Sequence, residues 1–452
     1  MPPPNSNPTT APRVSVHTLG CKLNYAESGS LAASFAKRGF LAVPFGEETD
    51  VFLLNTCSVT ENAEKECRQI IRRVVCQSPN AYIIVTGCYA QLRPEEIASI
   101  EGVDLVLGAS EKFDVLKFAG TFDKSLGPQI FSSEIEDATD FHFGATSVSD
   151  ERTRAFLKVQ DGCDYSCSFC TIPEARGASR SAEIEEILHR ARMLCEEGFH
   201  EIVLSGVNVG DFGRKSGTSF YDLAVAMERD SEIPARIRIS SIEPNLLTDS
   251  IIDLVASSDK FCPHFHIPMQ SGSDKILRLM QRRYNSAAYR ARVERIKTAM
   301  PNACIGADVI VGFPGETDED FFETCDFIRS LEVSYLHVFT YSERPGTKAS
   351  AMKDSVPVHV RRERNRLLRA ISEKKRRAFY ESQMGREVTV LIEKSGEGYS
   401  ENYVRSRLTG SIPSGAELIR TRLLEISGDI AVAEPLEILA ERRENVLLPI
   451  LR

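Results

Sequence analysis

Tryptophan is absent from the 452 residues, so any aromatic stacking falls to Tyr and Phe. No run of 18 apolar residues occurs, which excludes a membrane-spanning helix. The first residues, Met1 to Pro12, carry Pro, Asn and Thr without an apolar stretch. A disordered tail is expected there, not a secretory leader. Without export a reducing cytoplasm is expected, where the 12 cysteines are metal ligands or buried thiols rather than disulfides. A surplus of positive charge is missing as well. The net charge of −9 argues against uniform coating of nucleic acid, although residues 361–377 gather nine Lys/Arg against two Glu. The remainder, 42% hydrophobic and 26% charged, is ordinary for a globular protein of about two to four domains.

The most informative feature present is the run Cys163-Asp164-Tyr165-Ser166-Cys167-Ser168-Phe169-Cys170. A zinc site usually closes its shell with four ligands in paired spacings, and no second Cys-x2-Cys or Cys-x2-His follows. Three thiolates on one short loop can instead hold three irons of a 4Fe–4S cube. The fourth iron is then open to chelate a small molecule.

Apolar, β-rich runs at 13–20, 51–56 and 82–87 alternate with helical patterns near 24–38 and 59–76, a parallel α/β pattern. One cysteine stands just past each run: Cys21, Cys57 and Cys88. Ligand sites of open parallel sheets lie beyond the carboxyl ends of strands, so these three thiols can meet. The alternative is three separate buried thiols. Residues 120–150 look like a linker. Six further strands, at 155–160, 201–206, 236–242, 265–269, 307–313 and 335–341, alternate with helices near 181–197, 219–229, 246–257, 273–299 and 317–331. That predicts an open, partial (βα)6 barrel whose active parts gather at the C-terminal strand ends. A long helix over 357–383 carries the basic run. From 386 onward short strands at 387–393, 398–408, 417–427 and 429–436 predict a small β-barrel or sandwich. The expected division is 1–12, 13–148, 149–384 and 385–452.

These motifs resemble the radical S-adenosylmethionine (SAM) enzymes, whose signature is the spacing of Cys163, Cys167 and Cys170. The resemblance implies a 4Fe–4S cluster on those cysteines, SAM chelated at its open iron, and a 5′-deoxyadenosyl radical after reductive cleavage. It places Phe169 near the adenine and Gly206, in Ser205-Gly206-Val207-Asn208, near the methionine amino group. Ser240 and Glu243 fall toward the ribose or methionine ends, and Gly312, in Val311–Glu316, at the adenine-side turn.

Leu19-Gly20-Cys21-Lys22-Leu23-Asn24, Asn55-Thr56-Cys57 and Thr86-Gly87-Cys88 resemble the N-terminal domain of the methylthiotransferases within that superfamily. This implies a second 4Fe–4S cluster on Cys21, Cys57 and Cys88 that carries the sulfur destined for the substrate. One SAM is then a methyl donor and another the radical source. The C-terminal module resembles the TRAM RNA-binding domain. The implied substrate is tRNA, at the adenosine 3′ to the anticodon. The Cys21–Glu27 stretch is most similar to the branch that acts on N6-threonylcarbamoyladenosine, with N6-isopentenyladenosine and a ribosomal-protein aspartate as alternatives. A non-catalytic RNA-binding Fe–S sensor is the reading of another class. A reduced donor such as flavodoxin or ferredoxin, a sulfur donor and a monomeric state are also expected.

Tyr399, Tyr403, Arg405 and Arg407 are candidates for contacts to unpaired bases, and the basic helix for phosphates. Cys67, Cys76, Cys195, Cys262, Cys304 and Cys325 are read as buried thiols, and His264 and His266 receive no ligand role.

Overall fold

A computed structural model of the chain describes residues 11–57, 61–145, 153–393, 396–410 and 415–441. Most of the expected tail, Met1 to Thr10, lies outside these residues. Pro12 already belongs to the first sheet, its carbonyl accepting from Leu41 N at 2.8 Å.

The N-terminal part runs β1 (Arg13–Thr18), α1 (Lys22–Lys37), β2 (Leu41–Ala42), β3 (Val51–Thr56), α2 (Glu61–Gln77), β4 (Tyr82–Gly87), α3 (Cys88–Leu92), α4 (Pro94–Ala98), β5 (Val103–Leu107), α5 (Val115–Ala119) and β6 (Gln129–Phe131). Its strands form one parallel sheet in the order β2-β1-β3-β4-β5-β6. β3 and β4 are buried at every position, as parallel strands covered on both faces must be. Alternate residues serve opposite faces: Leu54 and Val85 meet Ile71 and Val74 of α2, while Leu53 and Ile84 meet Leu31 and Phe35 of α1. β5 escapes the apolar pattern because Asp104 interrupts it. That carboxylate is bound inside the sheet, accepting from Ile83 N at 2.8 Å and Lys124 Nζ at 2.6 Å. β6 corrects the reading of 120–150 as a linker, since it extends the sheet edge.

The second part runs β7 (Ala155–Lys158), β8 (Gln160–Asp161), α6 (Ile172–Arg176), β9 (Arg180–Ser181), α7 (Ile184–Glu196), β10 (Glu201–Ser205), α8 (Phe220–Arg229), β11 (Arg236–Ile239), α9 (Asp249–Ser257), β12 (His264–His266), α10 (Asp274–Leu279), α11 (Ser286–Ala299), β13 (Cys304–Val311), α12 (Asp318–Ser330) and β14 (Tyr335–Thr340). Six parallel strands lie in two sheets, β11-β10-β7 and β12-β13-β14, joined by bridges Ile237–Phe261 and Ser241–His266. This is the expected partial barrel. The helix expected over 273–299 is in fact two. Gln281 takes φ +57°, and Asn285 caps α11 by accepting from Ala288 N at 2.9 Å.

α13 (Val358–Gln383) leads into β15 (Glu387–Ile392), β16 (Glu397–Ser400), β17 (Arg405–Leu408), β18 (Ala416–Ser427) and β19 (Ile430–Glu441), a closed five-stranded barrel consistent with a TRAM-like module. The run 398–408 is two strands, not one, turning at Tyr403 with φ +66°. That turn is set into the foot of the partial barrel, where its strands begin. Arg238 donates to Ser400 O and Glu401 O, Asn402 donates to Asn302 O, and the Tyr403 ring stacks on His264 at 4.3 Å.

Four expectations about side chains therefore need correction. Tyr403 stacks on Tyr399 and His264, and Arg154 lies over Tyr399, so both tyrosines spend their ring faces inside the protein. Arg405 and Arg407 both pair with Glu397 at 2.6 Å. Part of the basic run is structural: Arg361 is buried against Glu343, and Arg364 against Glu316 and Asp318. Cys67, Cys262, Cys304 and Cys325 are buried as read, but Cys195 is half-buried and Cys76 exposed. None of the 12 cysteines is in a disulfide. No helix among the described residues is long and apolar enough to cross a membrane.

A candidate active site between two cysteine triads

Cys163, Cys167 and Cys170 lie on the loop between β8 and α6, beyond the C-terminal end of β7. Cys163 N donates to Gly177 O at 3.0 Å and Cys170 N to Cys167 O at 3.1 Å, which winds the loop on itself. Each sulfur accepts one N–H: Cys163 from Tyr165 N and Cys170 from Ile172 N, both at 3.4 Å, and Cys167 from Arg282 Nη1 at 3.1 Å. Burial pushes the Cys163 and Cys170 thiols up to about 12. Such thiols stay protonated alone, and a bound metal is what would ionise them. Arg282 also pairs with Glu243, so the Glu243 carboxyl is tied to this triad through one guanidinium.

Cys21, Cys57 and Cys88 follow the adjacent strands β1, β3 and β4, which puts them on one sheet edge. Two glycines make the approach possible. Gly20 takes φ +101°, and a Cβ there would stand 2.5 Å from Cys57 Cβ and 2.8 Å from its sulfur. Gly87 takes φ +99°, with Thr56 N 2.6 Å from where its Cβ would be. Asn24 Nδ2 fastens two of the three loops, donating to Leu19 O at 2.9 Å and Thr56 O at 3.0 Å. Arg176 lies within electrostatic range of both Cys21 and Cys88, which sets its guanidinium beside this triad.

The two triads are joined by a buried ionic cluster. α3, which starts at Cys88, packs on α6, which starts two residues after Cys170. Glu27 of α1 is fully buried and accepts Lys112 Nζ at 2.6 Å, Lys158 Nζ at 2.8 Å and Arg176 Nη1 at 3.0 Å. Asp161 takes Lys158 at 2.6 Å, Arg176 at 2.9 Å and Arg180 at 3.1 Å. Four cations thus face two carboxylates. An anionic group beside Cys21 and Cys88 would balance that surplus, and a thiolate-ligated iron–sulfur cluster fits that requirement.

The rim of the partial barrel carries the other predicted residues. Phe169 packs edge-on to Phe313, with ring centroids 6.4 Å apart. With Cys170, Gln270, Asp308, Ile310 and Tyr341 it lines a cavity of about 210 Å³. Asn208 Nδ2, Asp211 Oδ2, Ser240 Oγ and Gln270 Oε1 are buried at these strand ends without hydrogen-bond partners. Orphaned polar atoms of this kind fit a polar ligand such as SAM. Gly206 lies against Gln160, whose Oε1 accepts from Asn208 N at 2.9 Å. Gly312 faces away from the cavity, against Arg361 of α13. Burial raises the Glu243 carboxyl despite Arg282 beside it.

Two cations here, Arg344 and Lys22, were not anticipated as site groups, and His266, given no ligand role from sequence, falls in a cluster of ligand-type atoms. Arg344 lines both this cavity and a neighbouring one of about 260 Å³; it pairs with Glu64 and keeps Nε and Nη2 unpartnered. His266, Asp308 and His337 bring three ligand-type atoms within 4.8 Å of one another. Lys22, solvent-accessible at the start of α1, stands within electrostatic range of the lumen residues Arg154, Arg238, Glu201 and Asp308; its enclosure among them, then the two arginines, lower its ammonium pKa. Lys22 had a sequence signal in its place beside Cys21, and His266 one in its spacing from His264, whereas Arg344 had none.

Family models match residues 13–108, described as uncharacterized protein family UPF0004, and residues 157–328, the radical SAM superfamily. The threonylcarbamoyladenosine tRNA methylthiotransferase MtaB of Aquifex aeolicus is 37% identical, covering 88% of this chain and 97% of its own. That of Bacillus subtilis is 38% identical, covering 91% and 94%. The chain belongs to the MtaB-like radical SAM methylthiotransferases. A tRNA-2-methylthio-N(6)-dimethylallyladenosine synthase of Syntrophus aciditrophicus is also similar, 33% identical over 92% of this chain and 90% of its own. Among solved structures, the radical SAM methyltransferase TsrM from Kitasatospora setae shares the fold at TM-score 0.57 and 13% identity, covering 75% of this chain and 77% of that one.

For a radical SAM methylthiotransferase, a 4Fe–4S cluster and SAM follow from membership. The second triad stands in the part matched as UPF0004.

Proposed function

We propose that this methylthiotransferase converts N6-threonylcarbamoyladenosine, 3′ to the tRNA anticodon, into its 2-methylthio form. The observation that carries the reading is the pair of cysteine triads whose adjoining helices, α3 and α6, pack together and are linked through Glu27 and Arg176. The relatives' names support the substrate. In this reading Cys163, Cys167 and Cys170 hold the radical cluster, and Cys21, Cys57 and Cys88 the auxiliary one. Phe169, Gly206, Ser240 and Glu243 stand where SAM binds, and Gly312 shapes the turn behind it. Bound there, the two clusters and SAM supply a hydrogen-abstracting radical and a sulfur. An aromatic C–H is beyond what side-chain acids and bases can break, so both are needed.

The chain's own residues position and shield. Arg282 holds Cys167 and Glu243 together. Arg176 fixes the spacing of the triads by binding Asn24, Glu27 and Asp161 at once. An adenine in an anticodon loop is single-stranded and can be turned out into the rim. The exposed arginines of α13 are placed to take backbone phosphate. A reduced flavodoxin or ferredoxin is the expected electron source.

The test uses purified enzyme, SAM, a reductant and anticodon stem-loop RNAs, read by nucleoside mass spectrometry. Conversion of the threonylcarbamoyl RNA is expected. Conversion of the dimethylallyl RNA alone would keep the chemistry and overturn the substrate. Cys167→Ala should stop reductive cleavage of SAM, whereas Cys57→Ala should spare it and stop sulfur insertion. Sulfur insertion that persists in Cys57→Ala overturns the division of roles.

A further inference from the structure

Resting on that reading, we propose that Lys22 is the specificity residue of the site: its ammonium pairs with the carboxylate carried by the N6 substituent of the base. The lumen is thereby built for an anionic side group and against an apolar one.

Lys22 follows Cys21 directly and opens α1. Its side chain is solvent-accessible yet within electrostatic range of the charged groups Arg154, Arg238 and Glu201 toward the foot and Asp308 of β13, and of the imidazoles His264 of β12 and His337 of β14, which desolvation keeps neutral. A helix residue of the N-terminal part therefore stands among the barrel residues of the second part. Every other full charge of this set is engaged. Arg238 donates to Glu201 at 2.8 and 3.0 Å, Arg154 pairs with Glu393 at 2.7 Å, and Asp308 meets His266 at 3.0 Å. Among the described residues Lys22 makes no hydrogen bond or ion pair. Arg344, a rim cation that also keeps idle N–H groups, is already tethered to Glu64.

An idle ammonium in a partly desolvated space is unfavourable unless a ligand meets it. The substrate supplies that partner. A base that offers C2 to sulfur held at Cys21, Cys57 and Cys88 extends its N6 substituent only a few bonds further, within reach of the residue next to Cys21. A threonylcarbamoyl group ends there in a carboxylate. A dimethylallyl group offers nothing, leaves the ammonium desolvated and unpaired, and is rejected for that reason.

The experiment compares two stem-loop RNAs, one with the threonylcarbamoyl carboxylate and one with a carboxamide in its place, on the reconstituted full-length enzyme. Wild type should prefer the carboxylate in kcat/KM on the order of 10²-fold. In Lys22→Met the two RNAs should differ by less than about 3-fold, and Lys22→Arg should restore most of the preference. Both RNAs meet the same enzyme preparation, so any loss of cluster cancels in the ratio. Wild type that turns over both RNAs equally overturns the proposal without any variant, as does Lys22→Met that keeps the preference. Failure of the function reading looks different: neither RNA reacts while a dimethylallyl or unmodified RNA does.

Discussion

Glu27 and Arg176 stand 149 residues apart in the chain and meet in two hydrogen bonds, Nη1 to Oε1 at 3.0 Å and Nη2 to Oε2 at 3.2 Å. The same carboxylate also receives Lys112 and Lys158, so one side chain of α1 anchors three cations from three other elements.

Removing that anchor leaves Lys112 without its counter-charge and Lys158 and Arg176 with Asp161 alone. Glu27→Gln should lower unfolding free energy by about 3–5 kcal/mol, read from urea midpoints. A loss below about 1 kcal/mol would mean the cations are solvated after all.

The same group sets an acid limit. Burial alone would raise the Glu27 carboxyl, but Arg176, Lys112 and Lys158 outweigh it and hold it well below its ordinary 4.5. A depressed folded-state value contributes stability that is fully present above the unfolded value and is lost as pH falls toward the folded one. Stability should therefore hold from pH 7 to about 5 and decline below about 4.5, with a shallower decline in Glu27→Gln.

Gly20→Ala tests the auxiliary triad by geometry alone. The added methyl would meet Cys57 Cβ at 2.5 Å at a backbone angle that disfavours any side chain. Iron content should fall toward half while reductive SAM cleavage persists. Full iron occupancy in this variant would show that the three thiols do not share one cluster.

Arg282→Met removes an N–H from Cys167 and a positive charge from the radical site. Hydrogen bonds to cluster sulfurs raise its reduction potential. The potential should shift negative in an EPR-monitored titration, and an unchanged value would place Arg282 with Glu243 alone.

Arg362, Arg366 and Arg369 are exposed on α13 at spacings that share a face. Arg366→Glu with Arg369→Glu should weaken RNA binding and flatten its salt dependence by about one unit of slope per lost phosphate contact. Tyr403→Ala should leave that slope unchanged and lower stability instead, because its ring is stacked on His264.

Much of this was legible in the chain because the signals are local. Cys21, Cys57 and Cys88 each follow an apolar strand, and the spacing of Cys163, Cys167 and Cys170 is contained in one loop. The break between α10 and α11 had a local signal too, the capping Asn285, but the apolar period carried through it. β5 was hidden by Asp104, whose partners come from β4 and Lys124. Glu27 could not be read at all: its cations arrive from 85, 131 and 149 residues away. Tyr399 and Tyr403 looked like a recognition surface because sequence shows an aromatic and not which ring covers it.

The turn at Tyr403 has a kinetic consequence. With the foot of the barrel stoppered by Ser400–Tyr403 against Arg238, Asn302 and His264, traffic is confined to the rim. In the proposed reaction two molecules of SAM are spent per product, and both would share that doorway with the RNA. The methyl-donating one is best used and cleared before the RNA docks, so turnover should follow a compulsory order, with RNA the last to arrive and the first to leave.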